Sequence, residues 1–346
     1  MTIPETMKAY LLTGFGGFEN LSYREDIAVP SPEPNEVLIS VEACGVNNTD
    51  IWTRLGAYGG SVDDSNQSGW RGGVFNFPRI QGADIVGCVV ALGSGVNDEL
   101  LGKRVIINPT LYEGEGHLAL FNAGLIGSER DGGFAEYVTV PVTTAIPINS
   151  PLSSAELATF MVSYLTAEHM LNRADVKAGD HILITGASGG VGSALLQLAK
   201  RRDARVSCVI GRGKEDFALS LGADTVYTRG EIADLKDESV DVIADVVGGD
   251  QASSLLDSLE FGGRFVIAGA IAGAVAKIDW RKVYLKHLTI LGSTMGTPQE
   301  AKDLATYIEA EGIRPVLHAT YALKELVKAQ QAFLEKRFLG KLAIMP

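Results

Sequence analysis

Ile182-Leu-Ile-Thr-Gly-Ala-Ser-Gly-Gly-Val-Gly-Ser-Ala-Leu-Leu196 decides the fold of this 346-residue chain. A short apolar run enters a glycine-dense turn, which opens directly into an apolar helical stretch. A tight turn needs residues without steric bulk. A dinucleotide pyrophosphate needs close backbone approach, together with the free N–H groups and positive dipole end of a helix. With the correct flank on each side, the stretch has the strand–turn–helix context of a dinucleotide site. Ala187, Gly189 and Gly192 take the three pattern positions, with alanine in place of the first glycine, and Ser188, Gly190 and Val191 stand between them.

The next strand bears on which dinucleotide is held. NAD sites place a carboxylate at its end, about 20 residues on, to accept from the ribose 2′-hydroxyl. Here Arg205–Ile210 ends in Gly211-Arg212-Gly213-Lys214, with two cations where that acid would stand. A guanidinium pairs well with a 2′-phosphate, and Arg229, after the third strand, could reach the same place. Glu215 and Asp216 read as first-turn helix acids that favour the dipole. NADP(H) is therefore expected over NAD(H). Asp245-Val-Val-Gly-Gly, Ala268-Gly-Ala and Gly292-Ser-Thr fall at strand ends, where ligands meet doubly wound sheets. With Thr166, the residues Val247, Ala270 and Ser293 complete the candidate cofactor set.

Outward from the turn the pattern alternates between strand and helix. Strands are expected at His181–Thr185, Arg205–Ile210, Thr225–Tyr227, Val240–Val247, Arg264–Ala268 and His287–Leu291. Helices are expected at Gly190–Arg201, Glu215–Leu221 and Asp250–Leu259. This predicts an α/β Rossmann domain, a doubly wound parallel sheet, over residues 153–290. Before it, Val37–Ala43, Asp84–Leu92, Arg104–Ile107 and Phe134–Val140 are short apolar or alternating runs without helices between them, which predicts a β-rich domain. Ala145-Ile-Pro-Ile-Asn-Ser-Pro reads as a linker. The tail holds two amphipathic helices, Gln299–Glu311 and Leu323–Lys336, and a closing strand Lys341–Met345. The β-rich domain is expected to take residues 1–152 and 291–346, wrapped around the inserted nucleotide domain.

Composition narrows the class. A 46% apolar fraction, 21% charged residues and 40 glycines fit an ordinary globular protein with many tight turns. A net charge of −12 argues against nucleic acid as a partner. Three scattered cysteines, Cys44, Cys88 and Cys208, make no disulfide framework. The N-terminus lacks the pattern of a signal peptide, and no apolar stretch reaches the ~18 residues of a membrane span. A cytoplasmic protein with a small-molecule substrate is expected.

Several motifs in order carry a resemblance. Ala43-Cys-Gly-Val-Asn-Asn-Thr-Asp50, Gln81-Gly-Ala-Asp-Ile-Val-Gly87, Asp131-Gly-Gly-Phe-Ala-Glu-Tyr-Val-Thr-Val-Pro141, the Ala187–Gly192 turn and the closing Gly340-Lys341-Leu342 run nearly the whole length. Together they resemble the medium-chain dehydrogenase/reductase superfamily, which joins a GroES-like β-rich catalytic domain to a Rossmann domain. In its zinc alcohol dehydrogenases a Cys and a His come from the first two motifs and a third ligand precedes the nucleotide domain. The matching positions here hold Asn47, Ala83 and Val162, which cannot form the N/S tetrahedral site of a catalytic zinc. The region matching the structural zinc lobe, Ile106–Arg130, holds no cysteine. Of His117, His169, His181, His287 and His318, none pairs with another at ligand spacing. No metal is expected, and Cys44 reads as a core cysteine.

The resemblance is to the zinc-free, quinone oxidoreductase-like branch, through Gly45-Val46-Asn47 and the Ala187–Gly192 turn. It implies an NADPH-dependent reduction of a quinone or of a carbon–carbon double bond conjugated to a carbonyl. Asn47 is the candidate for the substrate floor, its alternative being a turn-forming Asn after a strand. Trp52 falls near the substrate in relatives, and a packing role serves equally. Asn48 and Asp50 are expected to cap a short helix Ile51–Leu55. The final proton comes from Tyr58, Tyr112, His117 or water, and a tyrosine of lowered pKa would suit. Gly59–Phe77, with Trp70, Phe75 and Phe77, reads as an inserted loop, an apolar lid or an oligomer contact. Leu111–Ser128, with Phe121, reads as a remnant of a metal lobe or an oligomer contact. A zinc-independent alcohol or carbonyl oxidoreductase and a non-catalytic NADP-binding protein are the alternatives. The apolar run at His287–Leu291, near a sheet edge, could pair across a two-fold axis into a homodimer.

Overall fold

The computed structural model describes residues 2–58, 68–70, 75–114, 119–120, 123–235 and 239–346. The chain forms two compact units, Met1–Val162 with Thr297–Pro346, and Ser163–Gly296.

In the first unit β1 (Thr6–Leu12) pairs antiparallel with β2 (Leu21–Ala28). The central strand is β3 (Glu36–Val46), with Val37, Leu38 and Ile39 buried. The short β4 (Arg79–Ile80) joins β1, and β5 (Asp84–Leu92) lies antiparallel along β3. Then come β6 (Arg104–Ile107), the small pair β7 (Thr110–Leu111) and β8 (Gly124–Leu125), β9 (Tyr137–Pro141) and β10 (Ala145–Pro147).

The second unit is a six-stranded parallel sheet. Its strands are β11 (His181–Thr185), β12 (Arg205–Ile210), β13 (Thr225–Thr228), β14 (Val240–Asp245), β15 (Leu259–Ile267) and β16 (Thr289–Gly292). The spatial order β13-β12-β11-β14-β15-β16 is the 3-2-1-4-5-6 order of a Rossmann fold. Helices Gly190–Arg201, Glu215–Ser220, Gln251–Ser258 and Trp280–Leu285 lie between strands. β11, at the centre, reads as a continuous apolar run because both faces of a parallel sheet are covered there; Ile182, Leu183 and Ile184 are fully buried.

The chain then returns to the first unit. Helix Pro298–Glu309 leads to β17 (Leu317–Ala322), and helix Leu326–Glu335 leads to β18 (Lys341–Met345). β18 pairs parallel with β17 and antiparallel with the end of β3, Leu342 opposite Val46 and Ile344 opposite Cys44. β9 takes the same edge of β3 nearer its start. One sheet therefore joins both chain segments of the first unit, in the order β10-β6-β5-β3-β18-β17, while β2-β1-β4 form a separate three-stranded sheet.

Several expected bounds move. The helix expected at Ile51–Leu55 spans Asn48–Leu55, and its N-cap is Asn47, with Asp50 as the third helical residue of a capping box. β15 starts five residues before Arg264, and β16 starts at Thr289 because His287 has φ 53°. The last amphipathic segment is a 3₁₀ turn, Leu323–Glu325, before the helix proper. His117, Phe121 and most of Gly59–Phe77 lie outside the described residues.

Candidate active site

The candidate nucleotide cradle lies at the C-terminal ends of the parallel strands. After β11, Gly186 turns the chain at φ +63°, a left-handed conformation that glycine adopts without strain. Its carbonyl accepts from Gly189 N–H at 3.0 Å, and helix Gly190–Arg201 follows at once. Gly192 is required by packing: a Cβ there would stand 2.2 Å from the Gly186 carbonyl oxygen. Gly189 is the N-cap and supplies no side-chain cap, so no cap residue takes up the first-turn N–H groups of Gly190, Val191 and Gly192. Ser188 and Val191 are half-buried, and the Ala187 side chain is fully buried.

β12 and β13 end side by side, Ile210 paired with Thr228, which brings the Gly211–Lys214 turn next to Arg229. Arg212 and Arg229 are exposed and Lys214 is half-buried. Burial and the Arg229 charge push the Lys214 ammonium below its ordinary pKa. The Glu215 carboxylate turns back to accept from Gly213 N–H at 3.0 Å, and these backbone bonds hold its pKa down.

Buried Asp245 shapes the next turn. It accepts from Thr185 Oγ1, from Val247 N–H at 2.9 Å and from Gly248 N–H at 3.1 Å. Val247 O accepts from Ala272 N–H at 2.8 Å, holding the Ala270 loop against the Val247 turn, and Ser293 N–H donates to Ile267 O at 2.9 Å. Ser293 Oγ is buried with no hydrogen-bond partner. Thr166 sits close by, its Oγ1 4.0 Å from Met295 Sδ. An uncapped helix start, cations on neighbouring turns and an orphaned buried hydroxyl fit a dinucleotide.

The candidates in the first unit form a separate cluster. Asn47 is buried at the end of β3, and its backbone N–H donates to Asp50 Oδ2 at 2.7 Å. Its Oδ1 accepts from Lys341 Nζ, while Nδ2 donates to Asp84 Oδ2 and to Gly45 O, each at 3.3 Å. Lys341 Nζ also lies 3.0 Å from Asp84 Oδ2, and Asp84 Oδ1 accepts from Val162 N–H at 3.1 Å. Burial drives the Asp50 carboxyl up to about 7, against the backbone N–H of Asn47 and the Lys341 charge. Both Asn47 N–H groups are thus used within the protein.

Trp52 and Tyr58 lie with ring centroids 5.5 Å apart, and Trp52 packs on the core. Contrary to the lowered pKa expected of a proton donor, burial pushes Tyr58 and Tyr112 each up to about 12. Phe75 and Phe77 pack on Phe15, 5.2 and 4.8 Å away, and Trp70 N–H donates to Ser128 Oγ at 3.0 Å. Cys44 is fully buried, as a core cysteine should be.

The alcohol dehydrogenase GroES-like domain family matches residues 33–150, and the zinc-binding dehydrogenase family matches residues 190–310. The quinone oxidoreductase of Lama guanicoe is 30% identical over 340 residues, covering 94% of this chain and 93% of its own. The chain belongs to the medium-chain dehydrogenase/reductase superfamily, in its quinone oxidoreductase-like branch. It is accordingly an oxidoreductase with a nicotinamide cofactor. Within the superfamily it is also similar to the NADPH-dependent alkenal/one oxidoreductase, chloroplastic, of Arabidopsis thaliana, 30% identical over 320 residues, 91% of this chain and 73% of that one. A solved structure from Sinorhizobium meliloti 1021, provisionally assigned as an alcohol dehydrogenase, is 46% identical with a TM-score of 0.95, covering 99% and 98% of the two chains.

The superfamily's zinc does not fit these residues. At the positions where the resemblance places the zinc ligands stand an amide already bonded to Lys341, a methyl and an isopropyl group, none a soft N/S donor. Among the described residues no group of three His, Cys, Asp or Glu side chains could hold a metal ion. Also among the described residues, no helix is long and apolar enough to cross a membrane. The sequence assigns no role to Gly186, to the Asp245 side chain or to the Lys341–Asp84 pair. Gly186 precedes the three pattern positions at Ala187, Gly189 and Gly192, and Lys341 gives no local sign that its ammonium is buried.

Proposed function

We propose that this enzyme uses NADPH to reduce quinones or carbon–carbon double bonds conjugated to a carbonyl, without a metal. The carrying observation is the donor set at Asn47, Ala83 and Val162, which offers nothing to polarise a carbonyl or lower the pKa of an alcohol. Hydride addition to an already activated double bond needs orientation and some stabilisation of the developing oxyanion instead. Relatives named for quinones and for alkenals support the same substrate class.

When bound, the dinucleotide supplies the hydride. The first-turn N–H groups of Gly190, Val191 and Gly192 would hold its pyrophosphate, and Arg212, Lys214 and Arg229 its 2′-phosphate. Backbone at Gly211, Val247 and Ala270, with Thr166 and the unpartnered Ser293 hydroxyl, would hold its ribose and nicotinamide portions. Tyr58, its pKa raised by burial, would serve as a hydrogen-bond donor to the substrate oxygen rather than as an acid of lowered pKa. Asn47 and Trp52 shape the substrate floor.

A second reading, a zinc-independent alcohol or carbonyl oxidoreductase, is favoured by the 46% identity to the provisionally assigned alcohol dehydrogenase. Following nicotinamide absorbance with a panel of enones, enals, quinones, aldehydes and alcohols separates the two. Turnover of enones or quinones with NADPH is expected; turnover confined to alcohols and aldehydes would overturn the first reading, and stoichiometric zinc would overturn both. A homodimer is inferred from β16, an edge strand among the described residues, and a reducing intracellular setting from three free cysteines.

A further inference from the structure

Lys341 is unusual in being 3% exposed, deep in the first unit at the start of β18. Lysine is almost never buried this far unless paired, and its partner is Asp84, whose side chain is 1% exposed. Such a pair is a poor source of stability, because desolvation of the two ions offsets much of their attraction. What it does supply is geometry. An ammonium has donors only, so the Asn47 atom facing it must be Oδ1, which turns Nδ2 toward Asp84 Oδ2 and Gly45 O. The three side chains close a ring, and Asp84 Oδ1 extends it to Val162 N–H at the start of helix Met161–Arg173. The ring ties the end of β3, the start of β5, the start of β18 and that helix, across sequence separations of up to 294 residues. Asn47 and Val162 stand where relatives are expected to hold metal ligands, and Asn47 also starts the helix that carries Trp52.

We propose that Lys341 and Asp84 are positioning residues for the reduction, fixing the Asn47 amide and the strand and helix ends around it by a buried ion pair. The inference rests on the reductase reading for its activity readout. The test compares the wild type with Lys341→Met and with the double variant Lys341→Met/Asp84→Asn, which keeps both shapes and leaves neither member of the pair as an unpaired buried ion. The single variant should lose thermal stability, because Asp84 is stranded. The double variant should recover Tm and bind NADPH within about twofold of the wild type, yet keep a kcat about tenfold or more below it, since displacing a positioned group costs rate rather than stability. A double variant with wild-type kcat would overturn the proposal. The Asn47 side-chain amide resonances give a readout that needs no substrate. They should shift in the double variant, and their staying in place would also overturn the proposal. If the wild type itself reduces nothing on the panel while these resonances shift, the reductase reading fails and the positioning of Asn47 stands.

Discussion

Lys214 sits below its ordinary pKa because it is partly buried and faces Arg229, so the cradle sets cations that repel one another side by side. An anion between them would relieve that repulsion, which is how a 2′-phosphate gains affinity from residues costly to assemble without it. Arg212→Ala/Lys214→Ala removes two charge-assisted contacts worth on the order of 3 kcal/mol together, so NADPH affinity should fall roughly a hundredfold while NADH affinity changes little. Equal losses for the two dinucleotides, measured by fluorescence titration, would undo the NADP preference. Asp50 poses a different residue-level question. Its carboxyl is raised to about 7 by burial, against an ordinary value of 3.8, so the folded state binds more protons than the unfolded state between those pH values. The stability it contributes is fully present below about pH 4 and is lost as pH rises through 7. Asp50→Asn keeps an acceptor for Asn47 N–H and removes the titration. Denaturant unfolding at pH 5 and pH 8 should show a shallower loss with pH in the variant, by on the order of 3 kcal/mol; an unchanged difference would refute the assignment.

At the level of elements, the strand–turn–helix unit assigns its glycines separate tasks. A methyl on Gly192 would meet the Gly186 carbonyl at 2.2 Å, whereas one on Gly189 would find only the same oxygen at 3.6 Å. Gly192→Ala should therefore lower Tm and abolish NADPH binding together, since helix and strand must separate. Gly189→Ala should leave Tm unchanged and weaken binding alone, because its methyl intrudes only on the approach of the phosphates. Calorimetry beside a binding titration checks the pair, and matching Tm losses would refute the division. The same unit was legible from sequence to the residue: His181–Thr185, Gly190–Arg201 and Arg205–Ile210 have the expected bounds, because buried parallel strands are apolar runs closed by glycine. Helix Met161–Arg173 was not legible. Its residues through Leu171 are buried on every side, so no polar face marks a 3.6-residue period. β17 failed for the opposite reason, having no buried residue at all. In the candidate site, the glycine turn and its cations announce themselves locally. The Lys341–Asp84–Asn47 ring does not, because long-range pairing of β18 with β3 creates it.

For the molecule as a whole, a net charge of −12 coexists with a local cluster of cations at one strand-end corner. That arrangement suits one anionic cofactor and disfavours polyanions. The second feature at this scale is the open edge of the parallel sheet. Among the described residues β16 pairs on one side only, and Thr289, Ile290 and Gly292 are exposed. Beside it Trp280, Tyr284 and Leu285 are 62–65% exposed, and Phe261 on β15 is 69% exposed. A bare strand edge flanked by large apolar side chains is a liability that soluble proteins normally blunt with charge, proline or a covering element. A second copy of the same edge, related by a two-fold axis, satisfies both the backbone groups and the apolar flank, because an isologous contact needs only self-complementarity. Light scattering after gel filtration should then give about twice the 36.7 kDa of one chain. Ile290→Lys, which puts a charge on the edge without touching the cradle or the Asn47 ring, should shift the mass to that of a monomer and leave NADPH affinity within about twofold. A wild-type protein that elutes at the monomer mass at micromolar concentration would refute pairing through β16.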